Sequence, residues 1–288
     1  MAEVDYGTLK KGGFMRQVQK DRFSLRLRVI GGHLTADKIA KIREIAEKYG
    51  HGYIHLTSRQ GVEIPFVPLE HIETIKTELA TVGLQPGACG PRVRTVTACQ
   101  GAAICPSGLI ETSGIAQELD ARYFGRELPH KFKIGITGCK NNCLKAEEND
   151  LGIKGGLFPT WQSGACTYCG LCAAVCPAGV ITVDQDTPTL SFDEQGCVSC
   201  GKCVKSCPAD AWQGKRGYLL SFGGMFGNEI KPGLRLLPIL FEKDQVFKAA
   251  DATLAFFAAQ ARPGERLGKT LTRVGPETLQ KQLEEAVG

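Results

Sequence analysis

Two copies of one cysteine pattern constrain this chain more than any other feature. The pattern C-x2-C-x2-C-x3-C-P begins at Cys166 and again at Cys197, 31 residues further on. Three closely spaced thiolates can wrap a cubane from one tight loop, and the fourth then comes from the other copy. The repeat therefore predicts two [4Fe-4S] clusters with crossed ligands, and zinc or disulfides are the weaker explanation. One cluster would take Cys166, Cys169, Cys172 and Cys207, and the other Cys197, Cys200, Cys203 and Cys176.

The overall cysteine count agrees with metal ligation. The chain has 13 cysteines, an odd number, and its first residues contain no apolar run typical of a signal peptide. We therefore expect a cytoplasmic protein, whose thiols stay reduced. The longest near-apolar run, 252–259, is too short to span a bilayer. The net charge is +5, but no run of Lys and Arg exceeds two residues, so we expect neither a nucleic-acid partner nor a membrane.

A second group of four cysteines precedes the repeat. Cys99 and Cys105 are spaced C-x5-C, and Cys139 and Cys143 are spaced C-x3-C. This is not a usual zinc spacing. The spacing favours a third cluster, with zinc or unrelated buried thiols as the alternatives. Cys89, the remaining cysteine, is interpreted as a buried thiol.

Hydrophobic periodicity predicts the elements of the first part of the chain. Residues 23–30 alternate as in a strand, and Thr35 can begin a helix that ends at Gly50. Strands over 53–57 and 62–67 and a second helix follow. The two helices have apolar faces composed of Ile39, Ile42, Ile45, Ala46 and Tyr49, and of Ile72, Ile75, Leu79 and Val82. The order strand–helix–strand–strand–helix predicts a ferredoxin-like α+β domain over residues 1–85.

The rest of the chain reads as one domain interrupted by the cysteine repeat. Helical character over 109–124 and a strand over 131–136 precede the repeat. A strand over 219–222 and helices over 241–259 and 276–287 follow it. We therefore expect a ferredoxin domain with two clusters, residues 158–214, inserted into a domain composed of residues 86–157 and 215–288.

The second cysteine group and its surroundings resemble the sirohaem-dependent sulfite and nitrite reductases. Cys99-x5-Cys105 and Gly138-Cys139-Lys140-Asn141-Asn142-Cys143 are similar to the cluster motif of that family. Residues 54–60 resemble the family's T-x-R-Q segment, and residues 91–95 resemble its loop before the first cluster cysteine. Residues 129–133 resemble its K-F-K segment, and residues 262–266 with 273–275 resemble its C-terminal end. Dissimilatory members and the catalytic C subunit of anaerobic sulfite reductase also carry an inserted ferredoxin module. The resemblance implies an α+β fold with a single copy of the reductase repeat.

The resemblance also implies roles for individual residues. Cys99, Cys105, Cys139 and Cys143 would hold a third [4Fe-4S] cluster, with Cys143 bridging to the sirohaem iron. Four basic residues would line the distal face of the sirohaem: Arg59, Arg94, Lys131 and Lys133. Fixed cations there would hold a small oxyanion and stabilise developing charge. Arginine stays protonated, so the lysines are the proton donors. Without the resemblance, Arg59 and Lys131 would be ordinary charges on a strand surface.

Other residues are candidates to meet the carboxylates of sirohaem. They are Arg92, Lys140, Asn141 and, in the loop 223–228, Gly223, Gly224 and Asn228. The alternative for that loop is a glycine-rich turn.

The function implied is the six-electron reduction of sulfite to sulfide, with electrons relayed through the ferredoxin clusters. The alternatives are a nitrite reductase forming ammonia and a non-catalytic electron-transfer subunit. No motif for flavin or nicotinamide is present, so an external ferredoxin or a flavin/NADH subunit would donate electrons. Larger members of the family carry two copies of the repeat and build their site from both. The single copy here implies a homodimer or a heteromer.

Overall fold

The computed structural model describes residues 4–288, and its first part is a four-stranded antiparallel sheet with helices packed against it. The elements are α1 (Tyr6–Lys11), β1 (Phe14–Arg16), β2 (Arg22–Arg26), α2 (Ala36–Tyr49), β3 (His55–Leu56), β4 (Val62–Pro68) and α3 (Ile72–Ala80). The strand order is β1-β2-β4-β3. Alternate residues of β2 and β4 point to one core with the apolar faces of α2 and α3. The predicted order of strands and helices is present, preceded by α1 and β1.

Three details differ from the expectation. The burial alternation of the first predicted strand continues to Val29, but the backbone leaves β4 after Leu27 and pairs with Gln85 instead. Ile39, in the first turn of α2, is 54% exposed and does not belong to its buried face, which begins at Ile42. The predicted strand 53–57 shortens to β3, an edge strand that pairs with β4 only.

The second part of the chain is built on a mixed sheet with helices. Its elements are β5 (Thr97–Ala98), α4 (Ser113–Tyr123), β6 (Ile134–Thr137), β7 (Leu151–Trp161), α5 (Leu171–Val175), β8 (Ile181–Asp184), β9 (Thr189–Phe192), α6 (Lys202–Ser206), β10 (Trp212–Phe222), α7 (Lys243–Gln260), α8 (Leu267–Val274) and α9 (Pro276–Val287). The order is β10-β7-β6-β5; β5, β6 and β7 are parallel, and β10 is antiparallel to β7. Its core includes Phe132, Ile136, Ile153 and Phe257.

The two long strands β7 and β10 were the largest omission of the sequence prediction. They pair without a break from Leu151 opposite Phe222 to Trp161 opposite Trp212. The sequence predicts only the end of β10 as a strand. It does not predict β7, because much of β7 is buried on both faces and shows no alternation. Helix α8 was also not predicted, whereas α7 and α9 lie where periodicity placed them.

The cysteine repeat forms the connection between strands β7 and β10 of the second sheet. Residues 162–211 form α5, the hairpin β8–β9 and α6, and their small core around Ile181 also includes Trp212 of β10. Since the β7–β10 ladder includes residues 158–161 and 212–214, the excursion is slightly narrower than the predicted 158–214. No helix within residues 4–288 is both long enough and apolar enough to cross a bilayer.

A basic cavity and three cysteine groups

A cavity of about 300 Å³ between the two sheets brings together the four basic residues singled out from the sequence. Arg59 follows β3, Arg94 precedes β5, and Lys131 and Lys133 precede β6. Because β5 and β6 are parallel, the residues before them lie at the same edge of the sheet. The other lining residues are Arg26, Leu27, Val29, Thr57, Ser58, Gly61, Ala88 and Thr95. We call this the basic cavity.

Hydrogen bonds hold both arginines of the basic cavity in place. Arg59 donates from Nη1 to Oδ1 of Asn149 at 2.7 Å and from Nη2 to the carbonyl of Thr95 at 3.1 Å. Arg94 donates to the carbonyls of Ala88 and Gly90 at 3.3 and 3.0 Å. Each guanidinium is thus oriented by neutral acceptors, so its positive charge remains available to an anion.

Burial among like charges makes the lysines better proton donors. Desolvation, together with the positive charge of Arg59, lowers the pKa of Lys133 to about 8. Desolvation and nearby arginines also lower the pKa of Lys131. Desolvation lowers the pKa of Arg59 to about 10, which still leaves it protonated at neutral pH. An ammonium whose pKa is near neutral can donate a proton and recover it from solvent.

A buried ion pair supports the edge on which the lysines lie. Asp150 is fully buried and accepts from Arg266 at both oxygens, at 3.0 Å from Nε and 2.8 Å from Nη2. Its Oδ2 also accepts from the backbone N–H of Lys133 at 2.8 Å. The segment that carries Lys133 is therefore fixed to the start of β7 and to the chain before α8.

Two residues of this region, Arg26 and Asn149, are not predicted from the sequence. Arg26 lines the basic cavity, where it is paired with Glu63 and donates to the Sγ of Cys89 at 3.3 Å. Its place on the polar side of the β2 alternation was visible in the sequence, but nothing indicated a cavity there. Asn149, which orients Arg59, carries no sequence signal. Cys89 is buried, as interpreted from the sequence.

The Cys139 group (Cys99, Cys105, Cys139 and Cys143) lies at the opposite edge of the same sheet. Cys99 directly follows β5, and Cys139 comes two residues after β6. The backbone N–H of Gly138 donates to the Sγ of Cys99 at 3.1 Å, so the two strand ends meet. Cys143 is the exposed member of the group.

Glycines permit the close approach of backbones around the Cys139 group. A Cβ on Gly138 would lie 2.9 Å from the Cα of Gly101, and one on Gly155 would lie 2.2 Å from the carbonyl oxygen of Gly138. No real side chain tolerates such contacts. The loops that carry Cys99, Cys105 and Cys139 can therefore gather only with glycine at these positions.

The cysteine repeat forms two further groups, each around its own small cavity. The Cys166 group lines one cavity with Cys166, Cys169, Cys172 and Cys207. The Cys197 group lines the other with Cys197, Cys200, Cys203 and Cys176. Each cavity thus collects three cysteines of one copy and the fourth of the other, as the crossed assignment requires. Within residues 4–288 no three Cys, His, Asp or Glu side chains converge on a single ion, whereas a cubane spreads its thiolates over different irons.

The other candidates for cofactor contacts do not line the basic cavity. Arg92 is paired with Glu127 at 2.9 Å. Lys140 and Asn141 lie in the loop between Cys139 and Cys143, and Asn228 is exposed. Gly223 and Gly224 are explained by packing, because a Cβ on either would meet Gly268 or the backbone of residue 147 within 2.9 Å.

Comparisons with known proteins agree with this arrangement. Residues 89–288 match the family model of the nitrite and sulphite reductase 4Fe-4S domain, and residues 15–82 match that of the nitrite/sulfite reductase ferredoxin-like half domain. The chain is 35% identical to the coenzyme F420-dependent sulfite reductase of Methanocaldococcus jannaschii over 273 residues, 94% of this chain and 43% of that protein. It is 32% identical to the C subunit of the anaerobic sulfite reductase of Salmonella typhimurium over 166 residues, 53% of this chain and 49% of that protein.

The fold is also similar to that of a solved structure. Dissimilatory sulfite reductase I superposes with a TM-score of 0.74 at 21% identity, over 91% of this chain and 69% of the other. The chain spans less than half of the length of the two curated relatives named above. The resemblance inferred from the sequence and the expected ferredoxin-like half domain are confirmed, since the two family models together cover most of the described residues. The chain belongs to the nitrite and sulphite reductase family.

Proposed function

We propose that this chain is the catalytic part of a sirohaem-dependent sulfite reductase that makes sulfide. The observation that carries the proposal is the basic cavity, in which Arg59, Arg94, Lys131 and Lys133 converge although they are up to 74 residues apart in sequence. A cavity with this much fixed positive charge favours a small anion. The similarity to two proteins named sulfite reductase favours sulfite as that anion.

The arginines and the lysines of the basic cavity would have different roles in the reaction. Arg59 and Arg94 are held by neutral acceptors and would bind the oxyanion and polarise its S–O bonds. Lys131 and Lys133, with lowered pKa values, would bind it and supply the protons that release oxygen as water. Arg26 adds charge at the wall of the cavity, although Glu63 partly neutralises it.

The donor sets fit the cofactors that this reaction needs. The Cys139, Cys166 and Cys197 groups would each hold one [4Fe-4S] cluster, and Cys143, exposed at the sheet edge, would also ligate the sirohaem iron. The buried Nε atoms of Arg92 and Arg94 have no hydrogen-bond partner within residues 4–288, which suits an anionic macrocycle nearby. Sirohaem would supply the iron that binds sulfite and accepts electrons. Lys140, Asn141, Gly223, Gly224 and Asn228 are weaker candidates for contacts with it.

The position of the basic cavity supports a site shared between two chains. The cavity lies at the N-terminal ends of β5 and β6, and the Cys139 group lies at their C-terminal ends. The two are therefore separated by the length of these strands. We infer that a second copy, or a related subunit, brings its basic cavity to the Cys139 group of the first. Electrons would come from an external ferredoxin or a flavin/NADH subunit, and the setting would be cytoplasmic.

Reduction of nitrite to ammonia is the second candidate, because nitrite is also a small anion and the family includes reductases of both substrates. An electron-transfer subunit without catalysis is the third, but such a subunit has no need for four cations in one cavity.

One experiment separates the three. Anaerobically purified protein is assayed by oxidation of reduced viologen with sulfite or nitrite, and sulfide and ammonia are quantified. Sirohaem absorption together with sulfide formation is the expected result. Ammonia as the preferred product would favour the nitrite reductase. Cluster absorption without sirohaem bands would reject both enzymatic functions.

A further inference from the structure

We propose that the two ferredoxin-type groups act in a fixed order. Electrons arrive at the Cys166 group, pass to the Cys197 group and continue from there to the Cys139 group. This inference rests on the proposed function for its cofactors. It goes further because it gives each copy of the repeat a separate role, which follows from where β7 meets the three groups.

Strand β7 comes close to the Cys139 group at Gly155, which packs against Gly138. The close contact of Gly155 with the carbonyl of Gly138 leaves only one peptide between β7 and Cys139. This point is the first of three positions along the same strand.

The Cys197 group meets β7 two residues later, at Leu157. The backbone N–H of Leu157 donates to the carbonyl of Ser199 at 2.9 Å, and Leu157 forms a β-bridge with Cys200. Two strand residues span about 7 Å. A second contact joins the same parts, since the Nζ of Lys205 in α6 donates to the carbonyl of Pro106 at 3.3 Å, directly after Cys105. The Cys197 group is therefore adjacent to the Cys139 group.

The Cys166 group meets β7 at its far end. Trp161 is paired with Trp212, and Trp212 lines the cavity of the Cys166 group. Trp161 lies four residues beyond Leu157, or about 13 Å along the strand. The Cys166 group is thus more distant from the Cys139 group than the Cys197 group is, and it lies on the same line.

The solvent exposure of the cysteines also supports the Cys166 group as the point where electrons enter. Cys169 is an exposed cysteine of the Cys166 group, and the neighbouring Leu171 is 46% exposed. In the Cys197 group, none of the four cysteines is exposed. A protein donor can therefore approach the Cys166 group closely, whereas the Cys197 group faces β7.

Each transfer moves a single electron. The cluster held by the Cys166 group is oxidised as the one held by the Cys197 group is reduced, and the second transfer repeats this between the Cys197 and Cys139 groups. No bond is made or broken, and no proton or further reactant is needed. The electron enters from the external donor and leaves to the substrate.

The test is rapid freeze-quench EPR of the holoprotein mixed with less than one equivalent of reduced ferredoxin. Cys169→Ser and Cys200→Ser each disturb one group and assign its signal. In the wild type we expect the Cys166 signal to rise first and the Cys139 signal last. In Cys200→Ser the Cys166 group should still be reduced at the wild-type rate, with the Cys139 group at least tenfold slower. In Cys169→Ser, reduction of both remaining clusters by ferredoxin should slow.

Substitutions outside the ligands keep the test valid if a ligand variant fails to fold. Leu171→Ala should lower the rate of reduction by ferredoxin about tenfold, as loss of a central apolar contact does at other interfaces. Reduction by dithionite should stay unchanged. Val18→Ala, at an apolar residue that is 96% exposed in the loop after β1, is the matched control and should have no effect.

The possible failures can be told apart. Three clusters with the Cys197 signal rising first, or Leu171→Ala indistinguishable from Val18→Ala, would overturn the order and leave the proposed function intact. Fewer than three clusters in the wild type by iron analysis and EPR would overturn the cofactor assignment itself.

Discussion

Lys133 and Cys139 stand at opposite ends of β6. Lys133 directly precedes the strand, and Cys139 follows it after one glycine. The four residues of β6 between them, at about 3.3 Å each, keep them about 13 Å apart or more along the sheet. Arg94 and Cys99 likewise lie on either side of β5, which has two residues. The proposed anion-binding side chains and the proposed haem-ligating loop of one chain therefore lie at opposite ends of these strands.

Complementation between two inactive variants follows from that separation. Arg59→Ala disables the basic cavity and Cys143→Ser disables the haem-ligating loop, so each homodimer should be inactive. Co-expression should give heterodimers in which one site combines two intact halves, and random pairing should restore about a quarter of the wild-type activity. Sulfite-dependent viologen oxidation of the purified mixture measures it. An inactive mixture that contains verified heterodimers would mean that each chain builds its own site.

Anion binding should weaken as pH rises through about 8. The lowered pKa means that Lys133 is protonated below about pH 8 and neutral above it, so its attraction for an anion is lost on the alkaline side. Titration of the holoprotein with nitrite, followed by the visible spectrum on both sides of pH 8, measures the affinity. Lys133→Met should weaken binding at low pH and remove the step. Lys269→Met, at an exposed residue of α8, should retain it.

Arg59 should be sensitive even to replacement by lysine. Lysine keeps the charge but cannot reproduce the fork that reaches Asn149 and Thr95 together. We expect Arg59→Ala to lower kcat/KM about 100-fold and Arg59→Lys about tenfold, the range for a charge-assisted hydrogen bond. Arg43→Ala, in an exposed pair on α2, should leave kcat/KM unchanged. Equal values of kcat/KM for Arg59→Lys and the wild type would mean that only the charge of Arg59 matters, and not the geometry of its guanidinium group.

Asp150 should be important for stability. Asp150→Asn leaves Arg266 buried without its counter-ion, which typically costs about 3–5 kcal/mol. The urea midpoint of unfolding should fall accordingly, as followed by tryptophan fluorescence. Asp244→Asn, in an exposed pair with Lys248, should change the free energy of unfolding by less than about 1 kcal/mol. Adding Arg266→Met to Asp150→Asn should recover part of the loss, and an absence of recovery would contradict the ion-pair explanation.

Gly155 should be intolerant of any side chain. In Gly155→Ala the new Cβ would collide with the backbone of Gly138, so the loop that carries Cys139 must move. We expect loss of the EPR signal of the Cys139 group while the signals of the other two groups remain. Gly164→Ala is the control, because its Cβ would meet nothing within 4 Å. Normal cluster content in Gly155→Ala would show that this contact can relax.

Much of this protein could be predicted from local sequence. The spacing within each cysteine motif specified the crossed grouping, because a short loop can bring only its own cysteines together. Periodicity located α2, α3, α7 and α9 through their apolar faces. It failed at β7, whose residues are buried by contacts on both faces, and at Ile39, because periodicity does not show how far the tertiary contacts of a helix extend along it.

The sequence by itself determined the residue types and their local spacing: twelve cysteines in three groups, and four basic residues in separate segments. Only the tertiary structure decided their relative positions. Parallel pairing of β5 with β6 gathers Arg94, Lys131 and Lys133 at one edge and Cys99 and Cys139 at the other. The register of β7 against its neighbours sets which ferredoxin-type group is closer to Cys139. Both depend on pairing between residues distant in sequence, and local patterns do not encode such pairing.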